Sequence, residues 1–269
     1  MHALPAGVAT EASGLAVTAN GTFYTVDDAT GTGELIALRA NGSVLARVKV
    51  AGMSATNAEA LTSGPCEPTG TGTGNCLFVG DIGDHTHRES VTIYRVPVPT
   101  GPPWFAQSIA WTYTYSDGPH NAESMFLAPD GDLVVIDKSA RDSTGTVAPH
   151  RIYRGKPGGG VLDLVGTFTP PAPAVPEQSL LTGTVVTDAA YDGDRVLLLT
   201  YDQVIQYTAP APGADPTGFP HWPHRSLPMP AVPQAEGITS LPDRCGYAVM
   251  SEAGPFKGPG RLAVMPCRR

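Results

Sequence analysis

Ser13-Gly-Leu15, Glu59-Ala-Leu61, Glu123-Ser-Met125, Asp188-Ala-Ala190 and Glu236-Gly-Ile238 are one short pattern met five times along the chain. Its first position carries an oxygen-bearing side chain each time. Copies recur every ~45–65 residues, the interval expected of a small antiparallel sheet used as a repeat. After each copy and a turn comes a run rich in β-branched and aromatic residues. These runs are Thr22–Asp27, Leu77–Asp81, Leu133–Asp137, Val196–Thr200 and Tyr247–Ser251. A third run follows at Glu34–Leu38, Val91–Arg95, Arg151–Arg154, Gln203–Tyr207 and Arg261–Met265. A fourth follows in the first four copies, at Val44–Val50, Ile109–Tyr115, Leu162–Phe168 and Arg225–Pro230.

The pattern predicts an all-β fold, a five-bladed β-propeller occupying residues 1–269 as one domain. The fifth copy lacks its fourth strand. The stretch Ala3-Leu-Pro-Ala-Gly-Val-Ala-Thr-Glu-Ala-Ser13 parallels Ser226-Leu-Pro-Met-Pro-Ala-Val-Pro-Gln-Ala-Glu236. The N-terminal strand is therefore expected to complete the last blade, closing the ring and removing exposed sheet edges. Insertions are expected at Pro65 to Asn75, Pro170 to Gln178 and Asp215 to His224.

Gly (31) and Pro (27) are abundant, but apolar runs recur between them, which points to turns and not to disorder. A net charge of −8 argues against nucleic acid or an anionic membrane as partner and suits a chain that attracts cations. No apolar run reaches the ~20 residues of a membrane helix. The four Cys fall as two local pairs, Cys66/Cys76 and Cys245/Cys267, without a CxxC. We expect two disulfides and a secreted, extracellular protein, acting as a monomer on a small-molecule or glycan ligand.

In a propeller the first strand of each blade lines the axis. Ser13, Glu59, Glu123, Asp188 and Glu236 would then form one ring, and four carboxylates there would repel strongly unless protonated or neutralised. An oxygen-only donor set favours a hard cation such as Ca2+. A water-filled acidic channel is the alternative. At the strand ends, Asp27, Asp81 and Asp137 are candidates to position water, and therefore candidate catalytic residues. Directly after that column stand Lys138, Tyr201 and Glu252, which with Asp84 and Arg88 are candidate substrate-binding residues. Arg88 suits phosphate or carboxylate. His85-x-His87 and His221-x-x-His224 lack the further ligands of a zinc site. No Gly-x-Ser-x-Gly elbow, P-loop or dinucleotide fingerprint is present.

Thr22-Phe-Tyr-Thr-Val-Asp-Asp-Ala-Thr-Gly31, preceded by Glu11-Ala-Ser-Gly-Leu15, resembles the first blade of the calcium-activated nucleotidase (apyrase) family. Asn57-Ala-Glu-Ala-Leu61 and Gln234-Ala-Glu-Gly-Ile238 are similar to that family's later blades. The resemblance implies a five-bladed propeller whose central calcium is held at Ser13, Glu59, Glu123 and Glu236. Asp188 stands where the family's pattern is serine-like, and Asp84 near where it has a basic residue. The Gly-Asp-Ile-Gly-Asp and Asn-Ala-Glu-Ser patterning also resembles uncharacterised secreted actinobacterial propeller proteins. The implied activity is metal-dependent hydrolysis of phosphate-containing small molecules. The alternatives are a non-catalytic glycan- or peptide-binding module and a glycosidase using two opposed carboxylates.

Overall fold

The structure is a computed structural model that describes residues 1–29, 31–67, 75–139, 146–173, 184–253 and 258–267. Parts of the expected insertions at Pro65 to Asn75 and Pro170 to Gln178 lie outside these residues. The described residues are almost entirely strand and turn. Strand β1 (His2–Ala3) precedes a first antiparallel run of β2 (Ala12–Val17), β3 (Phe23–Asp27), β4 (Glu34–Leu38) and β5 (Val44–Ala51). The second run is β6 (Ala60–Pro65), β7 (Asn75–Asp81) and β8 (Val91–Pro97). After the short strand β9 (Phe105–Gln107) it ends in β10 (Ile109–Tyr115). The third is β11 (Ala122–Leu127), β12 (Leu133–Asp137), β13 (His150–Gly155) and β14 (Gly160–Phe168). The fourth is β15 (Val186–Tyr191), β16 (Arg195–Thr200), β17 (Val204–Thr208) and β18 (His224–Leu227). The last is β19 (Ala235–Ser240), β20 (Tyr247–Ser251) and β21 (Arg261–Met265). The Asp215–His224 extension holds one 3-10 turn at Pro216–His221, capped by Asp215.

Burial follows strand rank within each run. The leading strand β2 is buried at every residue, as are the second strands β12, β16 and β20. The outer strands β5 and β10 alternate buried and exposed positions, as a strand with one face in water must. Five apolar layers lie between consecutive runs. One holds Tyr24, Leu35, Leu61 and Leu77; the next Phe78, Ile93, Met125 and Tyr153. A third holds Phe126, Ile152, Leu198 and Phe219, and a fourth Leu197, Leu199, Ile238 and Val249. The last packs Leu15 and Phe23 against Met250 and Leu262. The leading strands touch in a closed circuit, β2 to β6 to β11 to β15 to β19 and back to β2. The architecture is propeller-like.

The N-terminus completes the last run: β1 pairs antiparallel with β21, His2 opposite Leu262 and Ala3 opposite Arg261. The outer edges depart from the sequence reading, which treats the runs as separate sheets. β10 and β14 pair in parallel over Tyr113–Tyr115 and Gly160–Leu162, fusing the second and third runs into one eight-stranded sheet. β9 pairs in parallel with β5, so the chain serves the first run and then, one residue later, the second. Both devices use backbone groups that an outer strand would otherwise leave open. Cys66–Cys76 and Cys245–Cys267 are both disulfide-bonded, each within one run. No helix among the described residues is long and apolar enough to cross a membrane.

The leading strands approach so closely that side-chain volume is limiting. Gly14 has φ +65°, and a Cβ there would sit 2.3 Å from the Leu61 nitrogen. A Cβ on Gly237 would lie 2.9 Å from the Leu15 Cβ. Gly14→Val should therefore lose about 3 kcal/mol or more in urea denaturation. Gly166→Ala, where a Cβ meets nothing within 4 Å, should stay within about 0.5 kcal/mol of wild type.

Candidate functional site

In the third, fourth and last runs the leading strand carries a bulge where the oxygen column sits, and in the first run the register shifts just after Ser13. In the third run Ala122 opposes Asp137 and Ser124 opposes Ile136, leaving Glu123 as the extra residue. In the last run Glu236 is extra in the same way, between Ala235 and Gly237. In the fourth run Val186 opposes Thr200 and Asp188 opposes Leu199, so the extra residue is Thr187. By register Thr187 is thus the counterpart of Glu123 and Glu236, which makes the matched column Ser13, Glu59, Glu123, Thr187 and Glu236, with Asp188 one residue further along. Thr187 is fully buried and its hydroxyl donates to the Ala235 carbonyl at 2.7 Å. A one-residue slip escapes a sequence alignment that prizes acidic character, because Thr187 and Asp188 both carry oxygen.

Asp188 takes the place that Gly14, Ser124 and Gly237 hold in other runs. It is fully buried, and its carboxylate accepts from the Ala189 nitrogen at 2.8 Å and the Ile238 nitrogen at 2.7 Å. The Leu15 nitrogen donates to it as well. Asp188 thus clamps β15, β19 and β2 together. Burial pushes its pKa well above the usual carboxylate range, against the pull of those three donors.

The matched ring is buried and crowded. Ser13 Oγ donates to Glu59 Oε2 at 2.8 Å and also lies 3.1 Å from the Glu59 carbonyl oxygen. Lys138 enters the same space. Its Nζ lies 2.6 Å from Glu123 Oε2 and donates to the Tyr201 hydroxyl at 2.8 Å. Burial works against the ammonium, but Glu123 and Glu236 outweigh it and hold the Lys138 pKa above the ordinary lysine range. Burial and repulsion by Glu123 raise Glu59 to about 7, against the Ser13 hydrogen bond and Lys138. Glu236 is pushed well above its ordinary value by burial and then by Glu123. Its Oε2 is buried without a hydrogen-bond partner. Lys138 and Tyr201, expected at the mouth, instead help to build this ring.

The strand-end column divides by role. Asp137 accepts from the Arg151 backbone nitrogen at 2.6 Å and its guanidinium at 2.9 Å. Thr200 Oγ1 accepts from the Gln203 nitrogen and Ser251 Oγ from the Arg261 nitrogen, so all three tie a second strand to the start of the third. Asp81 accepts from the nitrogens of Thr56 and Asn57 and from Arg88 Nη1, at 2.9–3.0 Å. Arg88 also donates to the carbonyls of Asp81 and Gly83. Asp84 holds its own turn, accepting from Thr86 and Arg88 nitrogens. Asp81, Asp137, Asp84 and Arg88 thus fasten loops. His150, which sequence reasoning did not single out, is fully buried, with its two ring nitrogens 2.7 Å from the carbonyl oxygens of Asp137 and Thr184.

Asp27 differs, its carboxylate meeting the Ala29 nitrogen only at 3.4 Å. It lies with Glu11 and Asp28, and the ligand oxygens of these three fall within 4.8 Å of one another. No other such group of three or more His, Cys, Asp or Glu side chains occurs among the described residues, so the ring carboxylates stand wider apart. Burial raises the Asp28 pKa to about 7, helped by Glu59, Glu11 and Asp27. Burial likewise raises Glu252 to about 7, helped by Asp28 and Glu11 and opposed by its hydrogen bond from Gln234. A cavity of about 320 Å3 joins Glu11 and Asp28 to Asn57, His85 and Arg88. A second, of about 690 Å3, reaches from Glu11 and Glu252 to Leu4, Val8 and Pro259.

The donors around the ring have the chemistry a hard cation takes, although their carboxylate oxygens do not converge within the 4.8 Å span of the Glu11–Asp27–Asp28 group. They are carboxylate and hydroxyl oxygens without sulfur, one buried carboxylate oxygen lacks a partner, and the one ammonium present matches one of three glutamates.

No family model matches the chain, and no curated protein matches it. Solved structures do resemble it. The PQQ-bound aldose sugar dehydrogenase of Streptomyces coelicolor is 8% identical, with TM-score 0.50 over 98% of this chain and 96% of that one. A putative glucose dehydrogenase of Thermus thermophilus is 11% identical, with TM-score 0.47 over 98% and 99%. The Dos1 propeller is 13% identical, with TM-score 0.36 over 96% of this chain and 60% of that one. At such identities the likeness concerns the fold alone.

The raised carboxyl pKa values fix a direction for pH. Folded Glu59, Asp28 and Glu252 keep their protons up to about 7, whereas the unfolded chain releases them near 4. Their contribution to stability is therefore full below the unfolded pKa and is lost as pH rises through about 7. In a chelating buffer, the stability lost between about pH 5 and pH 8 should be smaller in Asp28→Asn/Glu252→Gln than in wild type. Urea denaturation at the two pH values measures it.

Proposed function

We propose that the five antiparallel runs are blades of a five-bladed propeller, and that the chain is a secreted calcium-binding protein acting on phosphate-containing small molecules at the mouth of its axis. The observation that carries this reading is the pocket lined by Glu11, Asp28, Asp84, His85 and Arg88, whose Asp28 is close enough to Glu59 of the buried ring to feel its charge. Carboxylates together with an imidazole and a guanidinium in one cavity suit a metal-complexed phosphate.

Ser13, Glu59, Glu123 and Glu236 would hold calcium in the ring, with Thr187 in the position first expected of Asp188. Glu11, Asp27 and Asp28 would offer a second oxygen set at the mouth. A bound divalent ion supplies charge neutralisation and polarises a phosphoryl oxygen. The chain's own part is narrower. Asp27 is the strand-end carboxylate least engaged by backbone donors, and it is the group suited to orient a water. His85 is exposed and free to meet an anion. Asp28 and Glu252, held near neutrality in pKa, take up or release a proton close to physiological pH. Asp81 and Asp137 keep the loops in place, and Arg88 contributes charge while tied to Asp81.

That tie favours one other reading, a propeller that binds its ligand without turning it over. The two separate in a single assay. Phosphate release from ADP, GDP and UDP should require added calcium and fall at least tenfold in Asp27→Asn. No release across the panel, together with calcium-dependent binding of the same nucleotides, would leave the binding module standing. The structural metal is tested apart from activity. EDTA should lower the melting temperature and calcium should restore it at matched ionic strength; an unchanged melting curve would remove the ring metal.

A further inference from the structure

We infer that Lys138 sets the cation affinity of the acidic ring, as a tethered ammonium that competes with a divalent ion for the same carboxylates. This rests on the reading that the ring takes such an ion. Residues that directly follow the five second strands are Asp28, Ile82, Lys138, Tyr201 and Glu252, so the third run alone delivers a positive charge to this level.

The delivery is firm at its base. The Lys138 backbone nitrogen donates to the Asn121 carbonyl at 2.8 Å, and the preceding Asp137 is bound to Arg151. At its tip the ammonium is shared between two runs. It meets Glu123 of β11 at 2.6 Å and the hydroxyl of Tyr201, which follows β16, at 2.8 Å. It also lies 5.2 Å from the centre of the Tyr201 ring, within cation–π range. Its side chain is 23% exposed and that of Glu123 is 4% exposed, so their attraction is poorly screened.

The charge count gives the consequence. Glu59, Glu123 and Glu236 bring three negative charges when ionised. One ammonium leaves two, the charge of a single divalent ion. Lys138 holds Oε2, one of the two oxygens that Glu123 would have to offer a metal. Glu236 Oε2, buried and without a hydrogen-bond partner, is the oxygen that the ammonium leaves unserved. Lys138 therefore limits the ring to one ion and weakens its hold on it, while keeping the ring neutral enough to fold when divalent ions are scarce.

The test is calcium titration of the full chain by isothermal calorimetry after chelator treatment, with melting curves in EDTA and in calcium. K138M should bind calcium at least tenfold more tightly than wild type, melt lower in EDTA, and gain more from calcium. K138R, which keeps the charge, should stay within about threefold of wild type. Equal affinity of wild type and K138M would overturn the inference and leave the ring metal intact. Loss of binding by folded K138M would overturn it too, making Lys138 a support of the site. If neither wild type nor any variant binds calcium, the ring reading fails and the inference with it. Should K138M not fold, K138Q decides: tighter calcium binding supports the competition, and unchanged binding overturns it.

Discussion

Everything near the axis depends on how closely the leading strands approach one another. At Gly14 and Gly237 the neighbouring backbone fills the space a side chain would need. Beside that approach, bulges set Glu123 and Glu236 out of the paired ladder, into the space they share with Glu59. The same crowding removes water from their carboxylates, which is why burial heads the causes of each raised pKa. Fold and charge are thus one problem. A chain that draws these strands together must either neutralise the ring or leave it protonated.

It answers with three devices at three depths. Below the ring, Asp188 collects backbone donors from three strands and acts as a clamp. Within it, Lys138 and Tyr201 bring one ammonium from two runs. Above it, Glu11, Asp27 and Asp28 repeat the acidic theme in a less buried setting. Apart from Asp27, the strand-end oxygens belong to a fourth task, fastening each second strand to its neighbours. Thr200 and Ser251 do this with a hydroxyl, whereas Asp81 and Asp137 add an ion pair with Arg88 and Arg151.

Most of the architecture was legible in the sequence. Strand positions follow from β-branched runs between turn residues, and the pairing of β1 with β21 follows from the likeness of Ala3–Ser13 to Ser226–Glu236. The two disulfides follow from local spacing. The candidate site was legible as a column but not in detail. Choosing Thr187 over Asp188 needs the bulge, and a bulge is a matter of register that residue type does not encode. Asp81 and Asp137 look like Asp27 on the page and differ only in what donates to them. Lys138 follows Asp137 in the chain, yet nothing in that dipeptide says whether its stem turns outward or into the ring. The fusion of β10 with β14 and the crossing of β9 to β5 are edge pairings between distant segments, invisible to a local pattern.

The pairing of β1 with β21 has a kinetic side. Met1 and Arg261, whose side chains meet beside that pair, are 260 positions apart. Closing so long a loop costs only slightly more entropy than closing one half as long, since the cost grows with the logarithm of length. The delay is of another kind: contacts of such high sequence separation form late, after local hairpins. The last sheet therefore waits for the first residues before it is complete. Glu236 sits on β19, at the far side of that sheet from β1, and β19 pairs with its sequence neighbour β20, so closing the sheet's outer edge and placing the ring carboxylate are separate events.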